Sequence, residues 1–452
     1  MLKNLIRHQC ASDRNLEQAR ESPSDCAFSS KGNLNGVPDP SVGKMSSGTS
    51  DYSGRLVKLV LVTPDGELLG SLAPFSVSSP WWPEVGVVVR GTFETHGLQV
   101  TVLRLLEADR PRPHGGLVTY LAEVETRVPT RQWDGQLDEH PLRRSWARPG
   151  GPALDLRWPG AVLAERGISR VGPAEQVRSW NLSSIWRIPV EGQNVWLKVV
   201  PPMFAHEGAL LEKLHGSTVP KLLARQKGRL LLAQIIGEDL YDAPLETLLR
   251  MVTQLVDIQK DWIGRTDELF ALGLPDWRLL TFSDALEHTI EANYTRLSVT
   301  DRATLASFLE TFDDRAASVQ RCRIPDTLVH GDFHPGNCRG DAKSLVIMDW
   351  GDSCVGHPLL DEPSFLDRVP EKDKRAAQDH WHREWSKALP HSDPDSASKL
   401  LAPIAAARLA VVYQRFLEDI EPSERPYHQA DPSDWLQRTA DQVRLEGHVD
   451  LA

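Results

Sequence analysis

His330-Gly331-Asp332-Phe333-His334-Pro335-Gly336-Asn337 packs four polar, chemistry-bearing side chains into eight residues, and Asp349-Trp350-Gly351-Asp352 follows shortly after. Each cluster comes after a short apolar run of strand length, Thr327 to Val329 and Leu345 to Met348. Polar groups at strand-to-loop ends are held rigidly and still reach solvent, which is what phosphoryl transfer requires. One carboxylate must orient an attacking hydroxyl and take up its proton. A second carboxylate and an amide oxygen must hold Mg2+, a hard ion that takes oxygen ligands. Asp332 suits the first task; Asn337 and Asp349 suit the second.

This chemistry makes a demand upstream: a lysine on a strand to contact nucleotide phosphates, and a glutamate on the next helix to pair with it. Val195-Trp196-Leu197-Lys198 supplies the lysine in an apolar frame, and Glu207 lies early in the following helical segment. A lysine among apolar residues is rarely buried without a partner, so Lys198 asks for one. No GxGxxG or Walker A motif is present. The turn Trp180-Asn181-Leu182-Ser183-Ser184 stands at the matching place, where its N–H groups and the Ser183 and Ser184 hydroxyls are candidates to hold phosphate oxygens. Ala233, Gln234, Ile235 and Ile236 are candidates to receive the adenine.

The elements that position these residues divide the chain unevenly. Of positions 11–50, 22 of 40 are Ser, Gly, Pro, Asn or Asp, so residues 1–50 are expected to form a disordered tail, with Met45 an alternative start. Leu56 to Val62, the Pro64-Asp65-Gly66 turn and Glu67 to Leu72 predict a hairpin. Val85, Val89 and Phe93 predict a helix ended by Gly97, and Leu98 to Leu106 and Leu117 to Val124 two more strands. Residues 51–145 are thus read as a small α+β domain, closed by a proline- and tryptophan-containing stretch. Strands at 176–180, 185–190, 195–200 and 230–235, with a helix at 204–215, make residues 146–238 a strand-rich lobe. Helices at 243–262, 283–294, 301–321, 397–417 and 434–446 make residues 239–452 a helical one. The fold class is α+β, with a cleft between two lobes.

Composition narrows the partners. The 51 Lys plus Arg against 62 Asp plus Glu give a net charge of −11, and no basic run offsets it, which argues against a nucleic-acid partner. No stretch reaches 18 consecutive apolar residues, so no membrane partner is expected, and the N-terminus makes a poor secretory signal. Five sparse cysteines without a CxxC read as reduced thiols of a cytoplasmic protein.

Residues 171–452 resemble the aminoglycoside phosphotransferase family, the bilobal, protein-kinase-like small-molecule kinases that also include choline and homoserine kinases. HGDFHPGN through IMDWGD carries the resemblance, with Lys198 and Glu207 upstream. The five-residue step from Asp332 to Asn337 is that of the kinase HRDxxxxN loop, and Asp349-Trp350-Gly351 stands where DFG stands. The resemblance implies ATP- and Mg2+-dependent phosphorylation of a hydroxyl on an amino sugar, an aminoglycoside-like compound or another small polar metabolite. Asp332 would be the catalytic base, Asn337 and Asp349 the metal ligands, and Lys198 with Glu207 the nucleotide anchor.

For the acceptor, His334, Asp352, Asp361 and Glu362 are candidate contacts. Between His330 and Asp361 five acids stand against two bases, which favours an amine-bearing acceptor. In the first domain, Arg90-Gly91-Thr92-Phe93-Glu94-Thr95-His96-Gly97 resembles part of a Nudix box, with Gly91 and Thr95 where glutamates belong. One carboxylate is too few for that chemistry, so a degenerate, non-hydrolysing Nudix-like domain is expected. A catalytically silent pseudokinase or nucleotide-sensing scaffold is the alternative to an enzyme. A protein kinase is disfavoured, because no APE-like segment closes an activation loop.

Overall fold

The computed structural model describes residues 54–111, 114–214, 216–341 and 343–449. The tail expected over residues 1–50 lies outside the described residues. Strands are numbered in chain order, as are helices of eight residues or more.

The first sheet runs β2-β1-β5-β4, with β3 also on β1. Its strands are β1 (Arg55–Val62), β2 (Leu68–Ser71), β3 (Phe75–Val77), β4 (Thr101–Ala108) and β5 (Gly116–Glu123), with β1 parallel to β5 and the other pairs antiparallel. Helix α1 (Gly86–His96) ends where Gly97 turns left-handed, as the sequence predicts. Its packed face differs from the expected one: Val88 and Thr92 are buried, whereas Phe93 is 53% exposed. A side chain at Gly91 would meet Phe75 at 2.9 Å, so the position has no room for a glutamate, and Glu94 is exposed.

Helix α2 (Gly151–Glu165), not foreseen because it carries Pro152 and Pro159, covers the outer face of the second sheet. Pro152 is harmless in the first turn, where an N–H has no partner to lose. This sheet is β6 (Glu175–Trp180), β7 (Ser183–Val190), β8 (Gln193–Val199), β10 (Arg229–Ala233) and β9 (Leu222–Gln226), antiparallel in that order. Alternation along β8 sends Val195, Leu197 and Val199 toward α2, and Trp196 and Lys198 toward the helical lobe. The first domain docks on β6: Ser179 N donates to Pro83 O (3.1 Å), and the Gln176 amide closes both hydrogen bonds to Val102 (2.9 and 2.7 Å).

After α3 (His206–Lys213) come α4 (Leu245–Lys260), α5 (Leu279–Ala292), α6 (Val299–Glu310), α7 (Phe312–Arg321), α8 (Glu371–Ala388), α9 (Pro394–Asp419) and α10 (Asp431–Val449). The single helix expected over 301–321 breaks at Thr311, and α8 was not expected, being rich in charge. Among the described residues, α9 is one helix long and apolar enough to span a membrane; half of that window is buried, with Leu401, Ile404 and Val411 in the core. Between α7 and α8 lie β12 (Thr327–Val329) on β15 (Cys354–Gly356), and the hairpin of β13 (Cys338–Gly340) and β14 (Leu345–Ile347), edged by β11 (Glu238–Asp239).

Candidate active site

Two short strand pairs bring the polar clusters together. The β13–β14 register sets Cys338 opposite Ile347, so Asn337, just before β13, lies beside Met348 and Asp349, just after β14. Met348 N donates to Asn337 O at 2.8 Å and seals this junction. The His330 ring, fully buried, joins the other loop: Nε2 donates to Met348 O (3.0 Å) and Nδ1 accepts from Asp332 N (3.3 Å). Burial pulls its pKa down to about 4, so the ring is neutral and serves as a strut.

The loop around Asp332 is braced from three directions. Gly331 has φ +90°, and a Cβ there would lie 2.0 Å from Asp352 O, so the position admits only glycine. Asp361 accepts from His330 N and Gly331 N (2.8 Å each) and from Gln259 Nε2 (3.0 Å). Arg408, reaching out of α9, donates to Gly331 O. Asp349 itself sits in the left-handed region at φ 65°, an uncommon state for a residue other than glycine, which aims its carboxylate out of the strand line.

Lys198 Nζ stands between two carboxylates, 2.8 Å from Glu207 Oε2 and 2.5 Å from Asp349 Oδ1. Burial opposes the ammonium charge, but Asp349 and Glu207 more than offset it, and the lysine pKa rises. The same contact overcomes burial at Asp349 and holds that carboxyl below its usual range. Partial loss of hydration opposes the charge on Asp332, yet the adjacent His334 ring and the Arg368 guanidinium hold its carboxyl below the usual carboxylate range. Asn337 Nδ2 donates to Asp332 O (2.8 Å) and Oδ2 (3.1 Å), and Asn337 Oδ1 accepts from none of the described residues. Half of the Asp349 side chain and a third of Asp332 remain exposed, so the group opens to solvent. Asp352, beside both carboxylates, is pushed up to about 7 by burial and by their charge.

Lys198, Glu207, Asp332, Asn337 and Asp349 therefore meet at one place, where the cleft between the lobes was expected. Other expected site residues have different occupations. Ser183 Oγ accepts from Trp180 Nε1 (2.8 Å) and Ser184 Oγ from Trp186 Nε1 (3.0 Å), which commits both hydroxyls to the sheet. Gln234 Oε1 accepts from Trp196 Nε1 (2.8 Å), Ile235 is buried and Ile236 is 71% exposed. His334, buried, accepts from Gly336 N (3.0 Å) while its Nε2 lies 3.6 Å from Asp332. Asp361 and Glu362, expected at the acceptor rim, are instead 1% exposed. Asp361 braces the loop, and Glu362 bonds His382 (2.9 Å) and Ser398 (2.6 Å) inside the helical lobe. Gln259, Arg408 and Tyr413, which feels the charges of Asp332 and Asp352, arrive from distant helices and carry no local signal in the sequence.

Residues 184–397 match the family model described as the phosphotransferase enzyme family (APH), the stretch that holds every residue of this cluster. The match marks that stretch as of phosphotransferase type. No curated protein matches the chain. Solved structures similar to it include the GDP complex of wild-type aminoglycoside 2'-phosphotransferase-IIIa, 17% identical, covering 65% of this chain and 99% of that one, TM-score 0.45. Choline kinase LicA from Streptococcus pneumoniae is 14% identical, covering 65% and 99%, TM-score 0.45. Macrolide 2'-phosphotransferase MphH from Brachybacterium faecium is 16% identical, covering 60% and 96%, TM-score 0.43.

Proposed function

We propose that the protein is an ATP- and Mg2+-dependent small-molecule kinase that moves the γ-phosphoryl group to a hydroxyl of an amino sugar, an aminoglycoside-like compound or another small polar metabolite. The observation that carries this reading is the Lys198 ammonium lying between Glu207 and Asp349, with the Asp332–Asn337 pair on the adjoining loop. Asp332, kept ionised, orients the acceptor hydroxyl and accepts its proton as the phosphorus–oxygen bond forms in line with the leaving ADP oxygen. Lys198, fixed by Glu207, presents its charge to the phosphates.

The donors present fit a magnesium ion. Asn337 Oδ1 and the Asp349 carboxylate are two oxygen ligands, and Mg2+ ordinarily takes few protein ligands and completes its shell with water and phosphate. Bound there, the ion would neutralise charge on the transferring phosphate. On the acceptor side, the charge of Asp332 with Asp352 beside it favours a cationic group, whereas Asp361 and Glu362 are turned inward and contribute nothing there. The 51–145 domain, with no room for a carboxylate at Gly91 and only the exposed Glu94 left of the box's glutamates, acts in this reading as a non-hydrolysing wall against the β6 edge.

Asp332→Asn tests the assignment. Turnover of ATP against a panel of amino sugars, aminoglycosides and amino alcohols should fall by roughly 10²- to 10⁴-fold, with Mg-ATP affinity nearly unchanged. Activity near the starting level would remove Asp332 from the base role.

A further inference from the structure

The turn expected to cradle the phosphates is already filled. Besides the two serines committed to indoles, Asn181 N donates to both carboxylate oxygens of Glu424, at 2.9 and 3.0 Å. A buried carboxyl group of the chain's own thus takes the backbone donor that a phosphate oxygen would use. Some other group must meet the phosphates on that side of the cleft.

The strand register points to one. Arg178 on β6 lies opposite Ile185 on β7, and Ile185 lies opposite Lys198 on β8. Residues directly opposite one another in a sheet share a face, so Arg178 and Lys198 look toward the same side, about 10 Å apart across two strand spacings. Lys198 marks that side as the one facing Asp349. Unlike the Lys198 ammonium, the Arg178 guanidinium has no hydrogen bond or ion pair with any described residue, its main chain alone being paired. The charges acting on it are those of Glu84 and Asp349, and the surrounding protein destabilises its own charge. The first domain pins its strand: Ser179 N is bonded to Pro83 O, and Glu84 bridges Arg178 through the backbone. A half-buried, unpaired guanidinium facing a cleft suits a multiply charged oxyanion, because its fork matches phosphate geometry.

We propose that Arg178 is a nucleotide-binding residue that contacts the phosphate chain from the roof of the cleft, opposite the Lys198 anchor. The inference rests on the kinase reading above. It also gives the first domain a part in the site, since that domain fixes the strand that carries Arg178.

Calorimetric titration of the full chain with Mg-ATP and, separately, with adenosine tests it, using Arg178→Gln and Arg178→Lys beside the wild type. The glutamine variant should lose roughly 10- to 100-fold in Mg-ATP affinity and hold adenosine within about twofold; the lysine variant should recover part of the loss. Unchanged Mg-ATP affinity in Arg178→Gln would overturn the assignment and leave the kinase reading standing. Equal weakening of adenosine and Mg-ATP, or a lysine variant no better than glutamine, would reduce Arg178 to a packing residue. A wild-type protein that takes up no Mg-ATP would overturn both readings.

Discussion

Gly331→Ala is the sharpest single test of how the loop positions Asp332. At φ +90° a side chain is strained by about 1–2 kcal/mol on backbone grounds alone. The new Cβ would sit 2.0 Å from Asp352 O and 2.7 Å from its carbonyl carbon. Such contacts do not occur below 3.0 Å, so the two loops must part by at least about 1 Å. They are not free to do so: Gly331 N is held by Asp361, Gly331 O by Arg408, and both partners are buried. Overpacking of this kind costs about 1–3 kcal/mol, so the total loss of stability should be about 2–5 kcal/mol. The displacement falls on Asp332, the next residue, and a misplacement of about 1 Å costs on the order of 100-fold in rate. Urea unfolding and Mg-dependent ATP turnover, measured on the same preparation, read the two effects. A variant whose unfolding midpoint and turnover both stay within twofold of the wild type would refute the claim that this glycine sets the Asp332 geometry.

Two further outcomes concern the contacts that tie the segment after α9 to the stretch before α2 and to the β6–β7 turn. Arg143 and Glu421 form an ion pair at 2.8 Å with both side chains nearly buried, so Glu421→Ala should destabilise the fold by roughly 3–5 kcal/mol in urea titration. An apolar replacement of both partners should recover much of that loss. Burial pushes Glu424 up to about 8 from an ordinary 4.5, its bonds to Asn181 pulling the other way. The folded protein then keeps a proton that the unfolded chain releases, and stability should decline as pH rises from 4.5 toward 8. The slope is at most about 1.4 kcal/mol per pH unit. Glu424→Gln should flatten the decline, as read from urea midpoints at either end of the window; an equal slope in the variant would assign it to other groups.

The site was legible where its chemistry is local. Asp332 and Asn337 share one loop and bond to each other across five residues, so their spacing is also their geometry. Lys198 announced a partner because an ammonium between Val195 and Val199 cannot stay buried without one, and Glu207 supplies it nine residues on. The strands were legible from their apolar runs, and Gly97 from its place after the last helical residue.

Other features depended on which segments meet. Ser183 and Ser184 read as phosphate donors until the fold set indole N–H groups beside them, and Asp361 read as acceptor rim until two backbone N–H groups claimed it. Glu424 reaches Asn181 from 243 positions away, and Arg408 reaches Gly331 from 77. Helix α8 hid behind its charges, its Glu, Lys, Arg and Ala residues favouring a helix whose apolar face is sparse, and α2 hid behind its prolines, whose weak helix preference is overridden by packing on the second sheet. Residue types and short spacings determined what chemistry the chain can attempt. Which polar groups remain free to attempt it was decided by tertiary contact, since a hydrogen-bonding group serves a ligand only when no distant segment has already satisfied it.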